Sequence, residues 1–192
     1  MRVYRVLFHD PSAAPREPGG VLYIPPQGAG RIDNPTHYDT LYVGDTPAGV
    51  CAEVFYRGKY RLKWTTSMLA LRRFPHLIRS LAWYDLDESK MATCDLDDPN
   101  ELLAQSLRPS QVITRDYDQS QAWALRLYQQ EKWAGVKWWS FNDARWASIG
   151  LWQTDVVQKY GVDPIAMDHP ALAEAAAVLA VTIEYPKSRR SK

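Results

Sequence analysis

The sequence predicts an α+β fold, a single compact domain over residues 1–192 with mixed β-sheets and flanking helices. Strand-like segments open the chain at Arg2–Phe8 and recur late at Val136–Phe141. A capped helix start lies between them at Asp45–Pro47, and an Ala-rich helix, DHPALAEAAAVLA, lies in the C-terminal third. No internal repeat, low-complexity block or Gly/Ser linker divides the chain.

In order, Arg2–Phe8 places Val3, Arg5 and Leu7 on one strand face and Tyr4, Val6 and Phe8 on the other. The Pro/Gly loop 10–20 leads to a short strand predicted at Val21–Ile24, closed by Pro25-Pro26. Thr40–Gly44 is a strand with Leu41 and Val43 on one side, which turns Tyr42 to the other. Asp45 or Thr46 caps the next helix and Pro47 sits in its first turn; Val50, Cys51, Val54 and Phe55 form its apolar stripe, with Glu53 near the edge. A helix is expected around Ser67–Arg73, strands at Leu81–Leu86 and Ala92–Leu96, and a capped helix within 97–107. An extended segment at Gln111–Thr114 follows. Asp118 with Gln121 offers a capping box for a helix to about Trp133, ended by Gly135. The Ala-rich helix begins near Asp168 or Pro170, and Val181–Tyr185 reads as a last strand.

With 46% hydrophobic residues, 192 residues suffice for one proper core. A net charge of +1 gives no long-range field for nucleic acid, and the basic KSRRSK end reads as a frayed, solvated tail. Cys51 and Cys94 form no CxxC pair and read as reduced and buried. The first residues lack the apolar core of a signal peptide and no run is long enough to span a membrane, so a cytoplasmic protein is expected. Nucleotide-binding GxGxxG, phosphate-binding GxxxxGK[ST] and nucleophile GxSxG patterns are absent, and the four histidines lack metal-ligand spacing.

What remains is concentrated in residues 28–57. Gly28 and Gly30 flank Arg31, whose guanidinium suits bidentate contact with phosphate; the alternative is a loop arginine paired with Asp33 or Asp39. Glu53 either pairs with Arg57 one turn on, worth about 0.3–0.5 kcal/mol, or sits in a cleft where it holds a ribose hydroxyl or stabilises an oxocarbenium-like centre. Tyr42 offers a ring to a flat ligand. Ser140 is either a strand-end hydroxyl or a hydrogen-bonding group for a ligand hydroxyl or phosphate. Together these residues point to a site for an anionic nucleotide.

The order GRIDNP…LYVGDTPAGVCAEVF…DYDQSQAWALRLY…WAGVKWWSFND resembles the RES domain family, named for its Arg, Glu and Ser, over about residues 3–150. The remaining 151–192 then form a C-terminal helix and tail. The chain departs from the family pattern at Ile32, where an aromatic is common, and at Phe141, where a small or basic residue is usual. The resemblance implies an ADP-ribosyltransferase-like fold and the toxin of a toxin–antitoxin pair, inhibited by an Xre-like antitoxin protein. Such a toxin degrades NAD as substrate, with water or inorganic phosphate as acceptor and no bound cofactor or metal. By position it makes Arg31, Glu53 and Ser140 catalytic, and Arg5, Arg31, Tyr42, Glu53 and Ser140 the NAD-binding set. In that set, Arg31 with Arg5 takes the pyrophosphate, Tyr42 the nicotinamide or its ribose, and Ser140 a ribose or nearby phosphate. A protein-modifying ADP-ribosyltransferase and a non-catalytic nucleotide-binding module are the competing classes.

Overall fold

The structure, a computed structural model, describes residues 1–71, 73–90 and 92–185. Its elements in chain order are β1 (Arg2–His9), β2 (Leu41–Gly44), α1 (Pro47–Phe55), β3 (Lys63–Trp64), β4 (Ile78–Leu86) and β5 (Thr93–Asp95). Helices α2 (Pro99–Ala104), α3 (Pro109–Val112) and α4 (Tyr117–Tyr128) follow. The chain then forms β6 (Gly135–Trp139), β7 (Ala147–Leu151), β8 (Val157–Pro164), α5 (Pro170–Val178) and β9 (Thr182–Ile183). Seven strands make one sheet in the order β5-β6-β7-β2-β1-β4-β8, mixed because β5 and β6 are parallel and the other pairs antiparallel. β3 and β9 form a small parallel pair.

Strand alternation gives the sheet two apolar faces. Val3 and Leu7 of β1, Leu41 and Val43 of β2, Ile149 and Leu151 of β7 and Tyr84 of β4 share one core, covered by Val21 of the long first loop. On the opposite face α1 and α5 pack together over Val6 and Leu81, while α2 and α4 pack over Val136 and Trp138 of β6. Between β1 and β2 the register records the pair Tyr4↔Gly44, whereas β1 follows β4 from Arg2↔Asp85 to His9↔Ile78. The sheet therefore opens between β1 and β2, and a cleft lies on the helical face at this divergence.

The helix that carries Glu53 starts as its sequence requires. Thr46 is the N-cap, accepting from the Gly49 amide at 3.1 Å, and Pro47 occupies the first turn, where it forfeits no helical hydrogen bond. Asp45 instead accepts from the Ala147 amide at 2.9 Å, tying the helix entry to β7. Cys51 and Cys94 are free and buried, as expected.

Other elements differ from the sequence expectation. Val21–Ile24 is not a strand: local turns satisfy its amides, Leu22 bonding to Pro15 and Tyr23 to Gly20, and the Val21 carbonyl accepts from the Tyr84 hydroxyl. The helix expected at Ser67–Arg73 is a 3₁₀ turn, Thr66–Met68, because Met68 is its one buried side chain and no apolar stripe supports more turns; Arg72 lies outside the described residues. Gln111–Thr114 is not extended, since Pro109 opens the short α3 there and the Gln111 side chain accepts from the Arg108 amide. The α4 helix is capped by Asp116 rather than Asp118 and ends at Tyr128, well before Trp133. Gly135 ends no helix. It opens β6, where a Cβ would fall 2.3 Å from the Gly150 carbonyl oxygen of the paired strand β7. α5 is capped by His169, whose Nδ1 accepts from the Ala171 amide. The basic end 187–192 lies outside the described residues. No described helix is long and apolar enough to cross a membrane.

Candidate functional site

The cleft has a volume of about 930 Å³ and is lined by all five residues singled out in the sequence: Arg5, Arg31, Tyr42, Glu53 and Ser140. Four of them come from the 28–57 segment and the β6–β7 connection, which the sheet brings together. Arg57, Arg61 and Arg115 also line it, so among the described residues five arginines and one carboxylate, that of Glu53, line the cleft. A net charge of +1 conceals this local excess of positive charge.

Glu53 does not form the ion pair with Arg57 that its spacing allows. The Arg57 Nε donates instead to the Glu53 backbone carbonyl at 2.7 Å, capping the end of α1. The Glu53 side chain reaches across the cleft, where the Ser140 hydroxyl donates to Oε1 at 2.5 Å. Ser140 is 3% exposed and set in a tight connection: its amide donates to the Trp146 carbonyl, and its Oγ accepts from the Asn142 amide at 3.0 Å. The serine therefore fixes one carboxylate oxygen, while the half-buried position of Glu53 leaves the carboxylate facing the cleft.

Arg31 is likewise not paired with Asp33 or Asp39. Its Nη1 donates to the carbonyls of Val112 and Thr114, at 2.7 and 2.6 Å, across from the end of α3. Burial lowers the guanidinium from its ordinary value; Tyr117, Glu53 and Tyr42 oppose this, and the group stays charged. The loop that presents it is anchored at both ends of the turn. Asp33, 5% exposed, accepts from the amides of Gly28 (2.8 Å) and Gly30 (2.6 Å) and from the Tyr42 hydroxyl (2.6 Å). From α4, Ser120 donates to the Arg31 carbonyl and Gln121 to the Gly30 carbonyl. A Cβ on Gly30 would lie 2.6 Å from both Asp33 Oδ1 and the Tyr42 hydroxyl, so this close approach demands glycine.

Tyr42 thus has a second task besides offering a ring. Its hydroxyl donates to Asp33 and accepts from the Ile32 amide at 3.1 Å, and its ring meets Trp138 edge-on. Burial, and then the Asp33 bond, push its ionisation far above the ordinary tyrosine value, so the hydroxyl stays protonated as a fixed donor. Tyr42→Phe is expected to lower folding stability by about 1–3 kcal/mol by stripping Asp33 and the Ile32 amide of a partner. Urea unfolding of the two proteins measures this, and an unchanged midpoint would reduce the hydroxyl to an incidental contact.

Arg5 lines the cleft where β1 and β2 part, but it shares the strand face of Val3 and Leu7, and its Nη1 donates to the Tyr23 carbonyl at 2.9 Å. Asp33, Ser120 and Gln121 hold the arginine loop; the sequence marked Asp33 only as a partner for Arg31 and Gln121 only as a capping residue, and gave Ser120 no signal. Arg61, Arg115 and Phe141 reach the cleft only through tertiary structure.

The RES domain family model matches residues 2–172, extending the expected 3–150 through β8 and into α5. Among solved structures, the chain resembles one described as the crystal structure of the M. tuberculosis MbcT–MbcA toxin–antitoxin complex. The TM-score is 0.56 and the sequence identity 14%, covering 94% of this chain and 89% of that one. At that identity the likeness is one of fold, an α+β domain with one mixed sheet and flanking helices as expected above. None of the curated proteins compared with the chain matches it.

Proposed function

Because this chain belongs to the RES domain family, we propose that it is the toxin of a toxin–antitoxin pair and acts by cleaving the nicotinamide N-glycosidic bond of NAD. The observation that carries the reading is Glu53, held by Ser140 in a cleft where, among the described residues, every other charged side chain is an arginine. Arginines suit the pyrophosphate of a dinucleotide. A single fixed carboxylate suits the positive charge that develops at a ribose C1′ when its nitrogen substituent leaves.

In this reading Arg31 binds the pyrophosphate through the guanidinium edge not used by Val112 and Thr114. Glu53 contacts the nicotinamide ribose and stabilises the oxocarbenium-like centre, and Ser140 holds that carboxylate in place. The Tyr42 ring bounds the nicotinamide end. Nicotinamide is positively charged while attached, so it departs with the bonding electron pair as a neutral molecule and needs no general acid. Attack by water at C1′ gives ADP-ribose and releases a proton; attack by inorganic phosphate gives ADP-ribose 1″-phosphate. The protein partner in this reading is an Xre-like antitoxin that covers the cleft.

Incubating the purified protein with NAD, with and without phosphate, and separating the products by chromatography tests the reading. Loss of NAD with release of nicotinamide is expected. ADP-ribose identifies hydrolysis and its 1″-phosphate identifies phosphorolysis. Intact NAD after prolonged incubation at high protein concentration would leave a binding module. Mass transfer onto an added protein, in place of free product, would make the chain a protein-modifying transferase.

A further inference from the structure

Of the exposed large apolar side chains, Phe141 and Tyr117 line the cleft. Tyr117 lies beside the Arg31 guanidinium, whose Cζ is 5.7 Å from the ring centroid, and so belongs with the anion-binding end. Phe141 is different. It is 58% exposed, contributes to no core cluster, and lies under a separate guanidinium, with Arg115 Cζ 5.9 Å from its ring centroid. An exposed phenylalanine at a cleft wall has no folding rationale and presents a flat apolar face to whatever enters.

We propose that Phe141 and Arg115 form the subsite for the adenine base of the dinucleotide, an inference that rests on the NAD reading above. Two arguments select adenine over nicotinamide. The first is placement. Ser140 is buried and bonded to Glu53, whereas its neighbour Phe141, past the end of β6, is largely exposed on the solvent side of the cleft. The scissile ribose belongs at the carboxylate, so the ring at the mouth meets the far end of the ligand. The second is charge. Nicotinamide in NAD is a pyridinium cation, which a guanidinium over the same ring repels, whereas adenine is neutral and electron-rich and stacks on aromatic rings and guanidinium planes alike. A base between the two needs about 7 Å, two stacking separations of ~3.5 Å. From 5.9 Å, Arg115 has only to swing outward slightly, and its side chain is exposed and free of ion pairs among the described residues. The ring itself is well placed in advance, because the 140–146 connection is braced by Ser140–Asn142 and Ser140–Trp146 hydrogen bonds and by Asp143–Arg145.

Direct binding of AMP and of nicotinamide mononucleotide, measured by calorimetry, tests the subsite separately from the reaction. Phe141→Ala is expected to weaken AMP by roughly tenfold, the size of one lost stacking ring, and to leave nicotinamide mononucleotide unchanged. Phe141→Trp should retain AMP affinity, which a purely structural role would not predict, and NAD turnover by Phe141→Ala should show a raised KM with kcat little altered. Equal loss for both mononucleotides, unchanged AMP affinity in Phe141→Ala, or wild type that cleaves NAD without binding AMP would overturn the proposal. If wild type does not cleave NAD, the functional reading falls, while Phe141-dependent AMP binding would still establish a purine-base site.

Discussion

Glu53→Gln is expected to lower the rate of NAD loss by about 10²-fold or more with little effect on folding. The substitution is isosteric, and the Ser140 hydroxyl that now donates to Oε1 at 2.5 Å can donate equally to an amide oxygen. The bond network from Asn142 through Ser140 to position 53 therefore persists. What disappears is the one negative charge among five arginines. In the ground state its removal changes little for a dinucleotide whose phosphates bind elsewhere. In the transition state it removes the group facing the developing charge at C1′, so the loss falls on kcat rather than on NAD affinity. Turnover of wild type and variant, together with ADP-ribose affinity and the thermal midpoint, gives the comparison. Equal turnover would sink the assignment of Glu53, and a lowered midpoint would reassign it to folding.

The stretch from β2 to α1 was legible because its signals are local. Alternation sets Leu41 and Val43 against Tyr42, and Thr46 with Pro47 starts the helix one register before its apolar stripe. β7 and β8 gave no such signal, for opposite reasons. β7 is central and buried on both faces, so its short run ASIGL lacks alternation. β8 is an exposed edge, and VQKYGVDP becomes a strand only by pairing with β4. The site divides in the same way. Spacing offered Glu53 the nearby Arg57, worth a few tenths of a kcal/mol, yet the carboxylate bonds to a serine 87 positions away. Arg31 had Asp33 and Asp39 as its alternative local partners, and its guanidinium bonds instead to carbonyls 81 and 83 positions away. Residue types were readable at these positions; their partners depended on which loops the sheet brings together. Arg61 and Arg115 had neither motif nor spacing to mark them, and Phe141 stood out only as a departure from the family pattern.

Arg31→Ala is expected to weaken ADP-ribose binding by about 10- to 100-fold, with a smaller change in kcat for NAD. The guanidinium has five N–H donors, and both on Nη1 are taken by Val112 and Thr114. The Nε and Nη2 edge remains for a phosphate oxygen, and a charge-assisted hydrogen bond of this kind contributes about 1.5–3 kcal/mol. One such bond corresponds to roughly tenfold or more in affinity, since each ~1.4 kcal/mol is a factor of ten. Arg31→Lys separates charge from geometry. An ammonium keeps the positive charge but cannot hold the two carbonyls and present a planar edge to phosphate at once, so its affinity should fall between those of alanine and wild type. Titration of ADP-ribose and of inorganic pyrophosphate into the three proteins reads the series, at two salt concentrations to separate Arg31 from the general field of the cleft. If alanine binds both as wild type does, Arg31 is a clamp between its loop and the end of α3, and the anion is held by the other arginines.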